Sequence, residues 1–461
     1  MLRWLAVLSL APLPARAAGL EGAALHAAWG LPFAGLLLSI AVLPLVATRF
    51  WHRHYGKVAA GWAALLLAPL AWVFGPGVVA AEVAHVALAE YIPFIALLLA
   101  LYTTGGGVLM TGRLVGTPAA NTGLLALGTV LASVMGTTGA SMLLIRPLLR
   151  ANALRTHKTH VFVFFIFLVS NIGGSLTPIG DPPLYLGFLA GVSFFWPARH
   201  LFGPFALCAV VLLTVFWLID RRAWAREKPE AAQVAPRKTG LRGRFNLGLI
   251  GLVVLGVVMQ GVWHPGAVVL LGQAMAIERL VAIGLFLGIT LVSLRYTPRA
   301  LHEANDFGWA AMLEVAKLFA AIFLCMAPVL AILQAGPAGA ASGLVALTND
   351  AAGQPIPWVY FWLTGVLSSF LDNAPTYLVF FNLAGGDAAV LMGQGAHVLA
   401  AISAGAVFFG AMTYIGNAPN FLVLTMARQG GVHMPGFFGY FGWACVFLLP
   451  IFILVTFIFF L

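Results

Sequence analysis

The sequence predicts an all-α polytopic membrane protein built as two inverted repeats, each of about five transmembrane helices plus one re-entrant hairpin, with broken helices at the binding site. Three observations carry that prediction. Of 461 residues, 62% are hydrophobic and 8% charged, where a soluble globular chain carries about a quarter charged residues. Apolar runs of about 20 residues recur from end to end, each long enough to cross roughly 30 Å of hydrocarbon. Gly- and Pro-rich interruptions with polar residues return in each half of the chain, inside otherwise apolar sequence.

This composition excludes an ordinary soluble enzyme, a disordered tail and a disulfide scaffold. The 24 Lys/Arg against 14 Asp/Glu give a net charge of +10, which points to nucleic acid only where the charge forms a patch on a folded domain. Instead, 19 of the 24 basic residues gather between apolar runs, at Arg49–Arg53–Lys57, Arg113, Arg146–Arg150–Arg155–Lys158, Arg221 to Arg244, Arg295–Arg299 and Arg428. That is the positive-inside pattern of cytoplasmic loops, so nucleic acid is not an expected partner. Cys208, Cys325 and Cys445 stand singly in apolar runs and read as small buried hydrophobes.

Residues 1–18 read as a signal peptide: Arg3, an apolar stretch from Trp4 to Pro12, and Ala15-Arg16-Ala17 as the cleavage site. Its removal would leave a periplasmic N-terminus in a bacterial inner membrane. Repeat 1 is then expected over 19–219, with spans near 29–46, 58–75 and 90–110 ending at Arg113. Segment 120–149 begins and ends among basic residues and has a small-residue middle, Met135 to Ser141, so a re-entrant hairpin is expected. The run 161–195 is broken by Ser170 to Pro183, which contains three Pro and three Gly. Pro lacks a donor and Gly is entropically costly in a helix, and unwound backbone at membrane depth is tolerated only in protein or beside a watery cavity. A span near 203–219 leads to a flexible basic linker, 220–244.

Repeat 2, 245–461, is expected to invert this plan, with spans near 245–263, 280–294, 309–333 and 437–460. Its hairpin (358–385) is interrupted at Ser368 to Thr376 and its broken helix (397–428) at Thr413 to Asn420. Between Lys317 and Arg428 there is no Lys or Arg, which places the second hairpin on the opposite side and the C-terminus outside. A shift of 236 residues lays Thr177-Pro-Ile-Gly-Asp181-Pro-Pro on Thr413-Tyr-Ile-Gly-Asn417-Ala-Pro, and Ser133 on Ser369. Inverted repeats with paired broken helices are the architecture of secondary transporters.

By these spans, three acids fall inside the membrane: Asp181, Glu314 and Asp372. An intramembrane carboxylate costs at least about 2.5–3.5 kcal/mol at a helix centre, so it implies a function or a partner. Asp181 and Asp372 lie in unwound segments, where carbonyls and half-helix ends complete a cation shell. Burial disfavours a charged carboxylate, so each can trade a proton for a metal ion; both are Na⁺ candidates. Thr137, Thr138, Ser141, Asn171, Thr177, Asn373, Thr376, Thr413 and Asn417 are the expected polar ligands. They fall into one cluster from 136–141 with 171–181 and another from 372–376 with 413–420. Glu314 and Lys317 stand three apart on one helix, as a direct ion pair or a proton relay.

At Ser170-Asn171-Ile172-Gly173-Gly174-Ser175-Leu176-Thr177-Pro178-Ile179-Gly180-Asp181 and Phe370-Leu371-Asp372-Asn373-Ala374-Pro375 the chain resembles the ion transporter superfamily. The resemblance is to its bacterial sodium/proton antiporter and citrate transporter family, over nearly all of 25–461. It implies a homodimer with a fixed scaffold and a transport domain that slides like an elevator. Divalent-anion/sodium symporters of the superfamily carry Ser-Asn-Thr at both hairpin tips, where this chain has Gly136-Thr-Thr-Gly139 and Asp372-Asn-Ala-Pro375. Antiport of Na⁺ and H⁺ is therefore the leading expectation, and symport of citrate or another small carboxylate the alternative. An intramembrane aspartyl protease would need a Gly-x-Gly-Asp signature that is absent here, and no cofactor or catalytic residue is expected.

Overall fold

The structure is a computed structural model that describes residues 20–227, 237–305 and 307–461; the expected signal peptide lies outside the described residues. Twenty α-helices follow one another: α1 (Leu31–Val46), α2 (Thr48–Phe74), α3 (Pro76–His85), α4 (Ile92–Gly106), α5 (Pro118–Met135), α6 (Thr137–Ala151), α7 (Thr159–Leu168), α8 (Pro182–Leu189), α9 (Trp196–Trp224), α10 (Arg244–Gln260), α11 (Ile277–Tyr296), α12 (Arg299–Ala304), α13 (Trp309–Gln334), α14 (Ser342–Thr348), α15 (Pro357–Phe370), α16 (Asn373–Leu383), α17 (Ala388–Met392), α18 (Ala396–Phe409), α19 (Ala418–Gln429) and α20 (Phe437–Val455). Among the described residues, nine helical segments are long and apolar enough to cross a membrane. The chain is an all-α multi-pass membrane protein.

The helices sort into two packed groups. α1–α4, α10, α11 and α13 pack chiefly on one another, whereas α5–α9, α15, α16 and α18–α20 enclose the interruptions. The second group is the driest part of the molecule: every residue of α7 after Thr159 is buried, as are all of Val398–Phe409 in α18. The groups meet through α4 with α6 and α13 with α16.

Several elements differ from expectation. The Arg49–Lys57 cluster is no loop: α2 starts at Thr48, so these charges ride on its first turns. Helix 90–110 begins 14 residues earlier, because Pro76 at a helix start is compatible with α geometry and α3 runs through a π turn (Val86–Tyr91) into α4. Glu82 and Glu90 consequently lie within a helical span. The linker 220–244 is ordered at both ends, since α9 continues to Trp224 and β2 (Arg237–Arg242) pairs antiparallel with β1 (Leu109–Arg113). A second hairpin, β3 (Ala267–Leu270) with β4 (Gln273–Ala276), joins α10 to α11. α5 and α6 meet at Gly136, whose φ of +80° makes the tight reversal that a residue with a Cβ rarely adopts.

Candidate functional site

The site forms where four helices begin. The chain leaves helical geometry after α7, makes a 3-10 turn at Ile172–Leu176, and re-enters a helix at Pro182. Proline disfavours helical geometry in the residue before it, and Asp181 is accordingly extended, at φ −145° and ψ 144°. The second break repeats the geometry, with Asn417 extended at φ −154° and ψ 137° before α19.

Asp181 is 1% exposed and gathers side chains from three other segments. Thr137, first residue of α6, donates to Oδ1 at 3.0 Å; Asn417 donates to the same oxygen at 3.1 Å; Asn373, first residue of α16, donates to Oδ2 at 2.5 Å. Thus Thr137, Asp181, Asn373 and Asn417, each at the start of a helix, form one centre. Asn373 Oδ1 is buried with no hydrogen-bond partner among the described residues. Around this centre Asn417 Nδ2 also reaches Ser170 O and Asn171 Oδ1, Asn171 Nδ2 donates to Asn420 Oδ1 at 2.7 Å, and Ser141 meets Ser170 at 3.0 Å.

The two expected clusters are therefore one. Asn373 and Asn417, both assigned to the second, close on the Asp181 of the first. Asp372 is engaged differently, its carboxylate capping α16 by accepting from Ala374 N at 3.1 Å. Thr376 donates to Asp372 O at 3.0 Å, and Thr177 and Thr413 donate to Ser133 O and Ser369 O, at 2.5 Å each. These three hydroxyls hold backbone with their hydrogens and so fix the turns, while their oxygen lone pairs stay available as acceptors. The Thr177 and Thr413 bonds join residues 44 apart in both cases, and the donors stand 236 residues apart, as do the acceptors. Gly180 explains why the break is so tight: a Cβ there would lie 2.2 Å from Gly174 O.

Glu314 and Lys317 form no ion pair among the described residues. Lys317 turns instead toward Tyr55, its Nζ 5.5 Å from the ring centre, because a lysine on an exposed face can carry its charge away from the chain's apolar stem. Thr138 lines a cavity of about 130 Å³ beside Asp181, walled by α4, α6, α8, α13 and α19. Among the described residues, Asp181 is the only charged one on its wall, which is otherwise built of residues such as Phe94, Leu97, Leu101, Met135 and Leu422.

Sequence reasoning missed two sets of polar residues. Asn420 stood inside the second break but was not expected as a site residue; it holds that break by donating to Gly410 O and Thr413 O. The second set is a buried network at the base of α5 and α6. Arg155 meets Asp220 at 2.5 Å, His160 meets the same carboxylate at 2.8 Å, and Asn121 donates to it at 2.9 Å and to Asn152 at 3.0 Å. Its one legible signal was an Asn or His at each helix terminus beside a basic cluster.

Comparison with known proteins agrees with this architecture. Residues 22–460 match the family model described as "Putative citrate transport". An uncharacterized transporter of Mycobacterium tuberculosis and one of Mycobacterium bovis are each 28% identical over 326 residues, 67% of this chain and 69% of theirs. A 46 kDa membrane protein of Mycobacterium leprae is 24% identical over 318 residues, with the same coverage. With the match spanning nearly the whole chain, a multi-pass membrane fold and broken helices meeting at a buried polar centre, the protein belongs to this citrate transport family and is a secondary transporter, not an enzyme.

Proposed function

We propose that the protein exchanges Na⁺, or a similar small cation, for H⁺, with Asp181 as the group that binds each in turn. The observation that carries this reading is the cavity wall: its single charged residue is a carboxylate, with no Lys, Arg or His among the described residues to hold an anion. The unpartnered Asn373 Oδ1 adds a buried acceptor beside Asp181, and a hard cation takes oxygen ligands. A proton on Asp181 removes the charge that holds the cation, so the two compete. Each of the four helix starts contributes about half a positive charge, which together offset the Asp181 and Asp372 carboxylates in the empty site. Two separately packed helix groups suit an elevator motion of the core group against α1–α4, α10, α11 and α13. The setting proposed is a bacterial inner membrane, with both termini periplasmic and a homodimer formed through the latter group.

One observation favours a second reading. Four converging helix N-termini are also a ready anion site, which suits Na⁺- or H⁺-coupled symport of citrate or another small carboxylate. Proteoliposomes with a trapped pH dye separate the two. Antiport predicts that added Na⁺ or Li⁺ triggers proton movement, abolished in Asp181→Asn and unaffected by citrate. No cation response, with citrate-dependent acidification of the vesicle interior or labelled citrate uptake, would overturn antiport in favour of symport.

A further inference from the structure

Glu90 is a carboxylate that neither the Asp181 centre nor any loop uses. It sits on the π turn Val86–Tyr91, a local widening that recurs at functional sites. Phe94, Leu97, Leu98 and Leu101, further along the same helical stretch, line the Asp181 cavity, and Glu90 stands one turn before Phe94, just beyond that lining. The charged groups facing it are Glu82 and Arg279, the latter on the first turn of α11. Arg279 is anchored by donating to Ala89 O and Leu189 O, at 2.9 Å each.

Arg279 also lines a second pocket, of about 240 Å³, together with Ser193, Gln260, His264 and Glu278. In it Glu278 Oε2 is buried with no hydrogen-bond partner among the described residues, an acceptor that water in a polar space satisfies. The Gln260 amide faces the phenol of Tyr185, and Tyr185 lines the Asp181 cavity. The contact between Gln260, on the wall of the pocket, and Tyr185, on the wall of the cavity, thus separates the two spaces, and Arg279 reaches from the pocket to the carbonyl of Ala89, next to Glu90.

We propose that Glu90 is the proton-relaying carboxyl of a hydrated access route from this pocket, past Tyr185, to Asp181. A hydrated proton in the pocket passes to the Glu90 carboxylate and leaves water behind, and the resulting acid releases its proton to water on the cavity side, so the carboxylate is regenerated. This inference rests on the antiport reading.

The test compares wild type, E90Q and E90D in proteoliposomes, with E278Q at the pocket mouth in reserve if E90Q fails to insert. Cation-driven proton flux is measured against pH and Na⁺ concentration. The expected result is a loss of at least about tenfold in maximal flux for E90Q, an unchanged Na⁺ KM, a flattened pH profile, and recovery in E90D. Wild-type flux and pH profile in E90Q would overturn the proposal. Hydroxyl-radical footprinting of the purified protein gives a readout independent of the transported ion: Tyr185 is expected to be oxidised through adjacent water, and a protected Tyr185 would overturn the hydrated route. If wild type moves no protons with cations, it is the antiport reading that has failed, and the footprint still decides the route.

Discussion

Asp181 and Asp372 have the same side chain, and their surroundings assign them different work. Asp181 receives three side-chain hydrogen bonds from Thr137, Asn373 and Asn417, whereas Asp372 accepts through Oδ1 from the backbone at the N-cap of α16. Asn373 contributes twice, by its bond to Asp181 and by the unpartnered Oδ1 beside it. Removing one partner of a buried charge-assisted bond costs about 1–3 kcal/mol. Asn373→Ala is therefore expected to raise the half-saturating Na⁺ concentration about tenfold or more in the dye assay, each tenfold corresponding to about 1.4 kcal/mol. An unchanged concentration would remove Asn373 from the cation shell. The two Asp residues were legible in the sequence as rare charges in apolar runs. Their division of labour was not, because it depends on which side chains 192 and 236 residues away reach Asp181.

At the scale of elements, each broken helix is held by the hairpin next to it. Thr177 and Thr413 bind the last turns of α5 and α15, at Ser133 O and Ser369 O, and Thr137 N bonds Gly180 O at 2.9 Å. The site is thus four helix starts fixed by backbone contacts too close for a side chain. Gly180→Ala would place a Cβ 2.2 Å from Gly174 O, and overpacking of this kind costs about 1–3 kcal/mol. Lowered thermal stability in detergent, with loss of proton flux, is the expected outcome; wild-type stability would mean the break can relax. The interruptions themselves were readable from Pro and Gly in apolar sequence. The length of the preceding helix was not: α3 runs into α4 through a π turn, and hydrophobicity alone does not mark where a helix widens.

Across the whole molecule, charge that looks like loop charge in sequence is partly internal. Arg155, only 3% exposed, joins α7 and α9 through His160 and Asp220, and Arg155 Nε lies 3.6 Å from Glu227 Oε1. Glu227 lies past the end of α9. Burial would raise its carboxyl, but bonds from Thr156 N and His157 N and the charge of Arg155 outweigh this and hold it below the ordinary value of 4.5. A carboxyl lowered in the folded state contributes stability above its unfolded value, and that contribution is lost as pH falls through the folded value. Glu227→Gln is therefore expected to lower the melting temperature at neutral pH and to approach wild type as pH falls below about 4.5. Parallel melting curves at every pH would show that this carboxylate does not help to hold the loop to α9.

The sequence by itself determined the membrane class, the places where helices break, and the two acids within those breaks, because each follows from local chemistry: apolar length, missing donors and the cost of charge in hydrocarbon. Only the tertiary structure decided that the two breaks share one centre, that Thr177, Thr376 and Thr413 hold backbone, and that Arg279, on the wall of a polar pocket, bonds the carbonyl next to Glu90. Those outcomes depend on contacts between segments far apart in the chain, and a periodic apolar pattern specifies which face is buried without specifying what it is buried against.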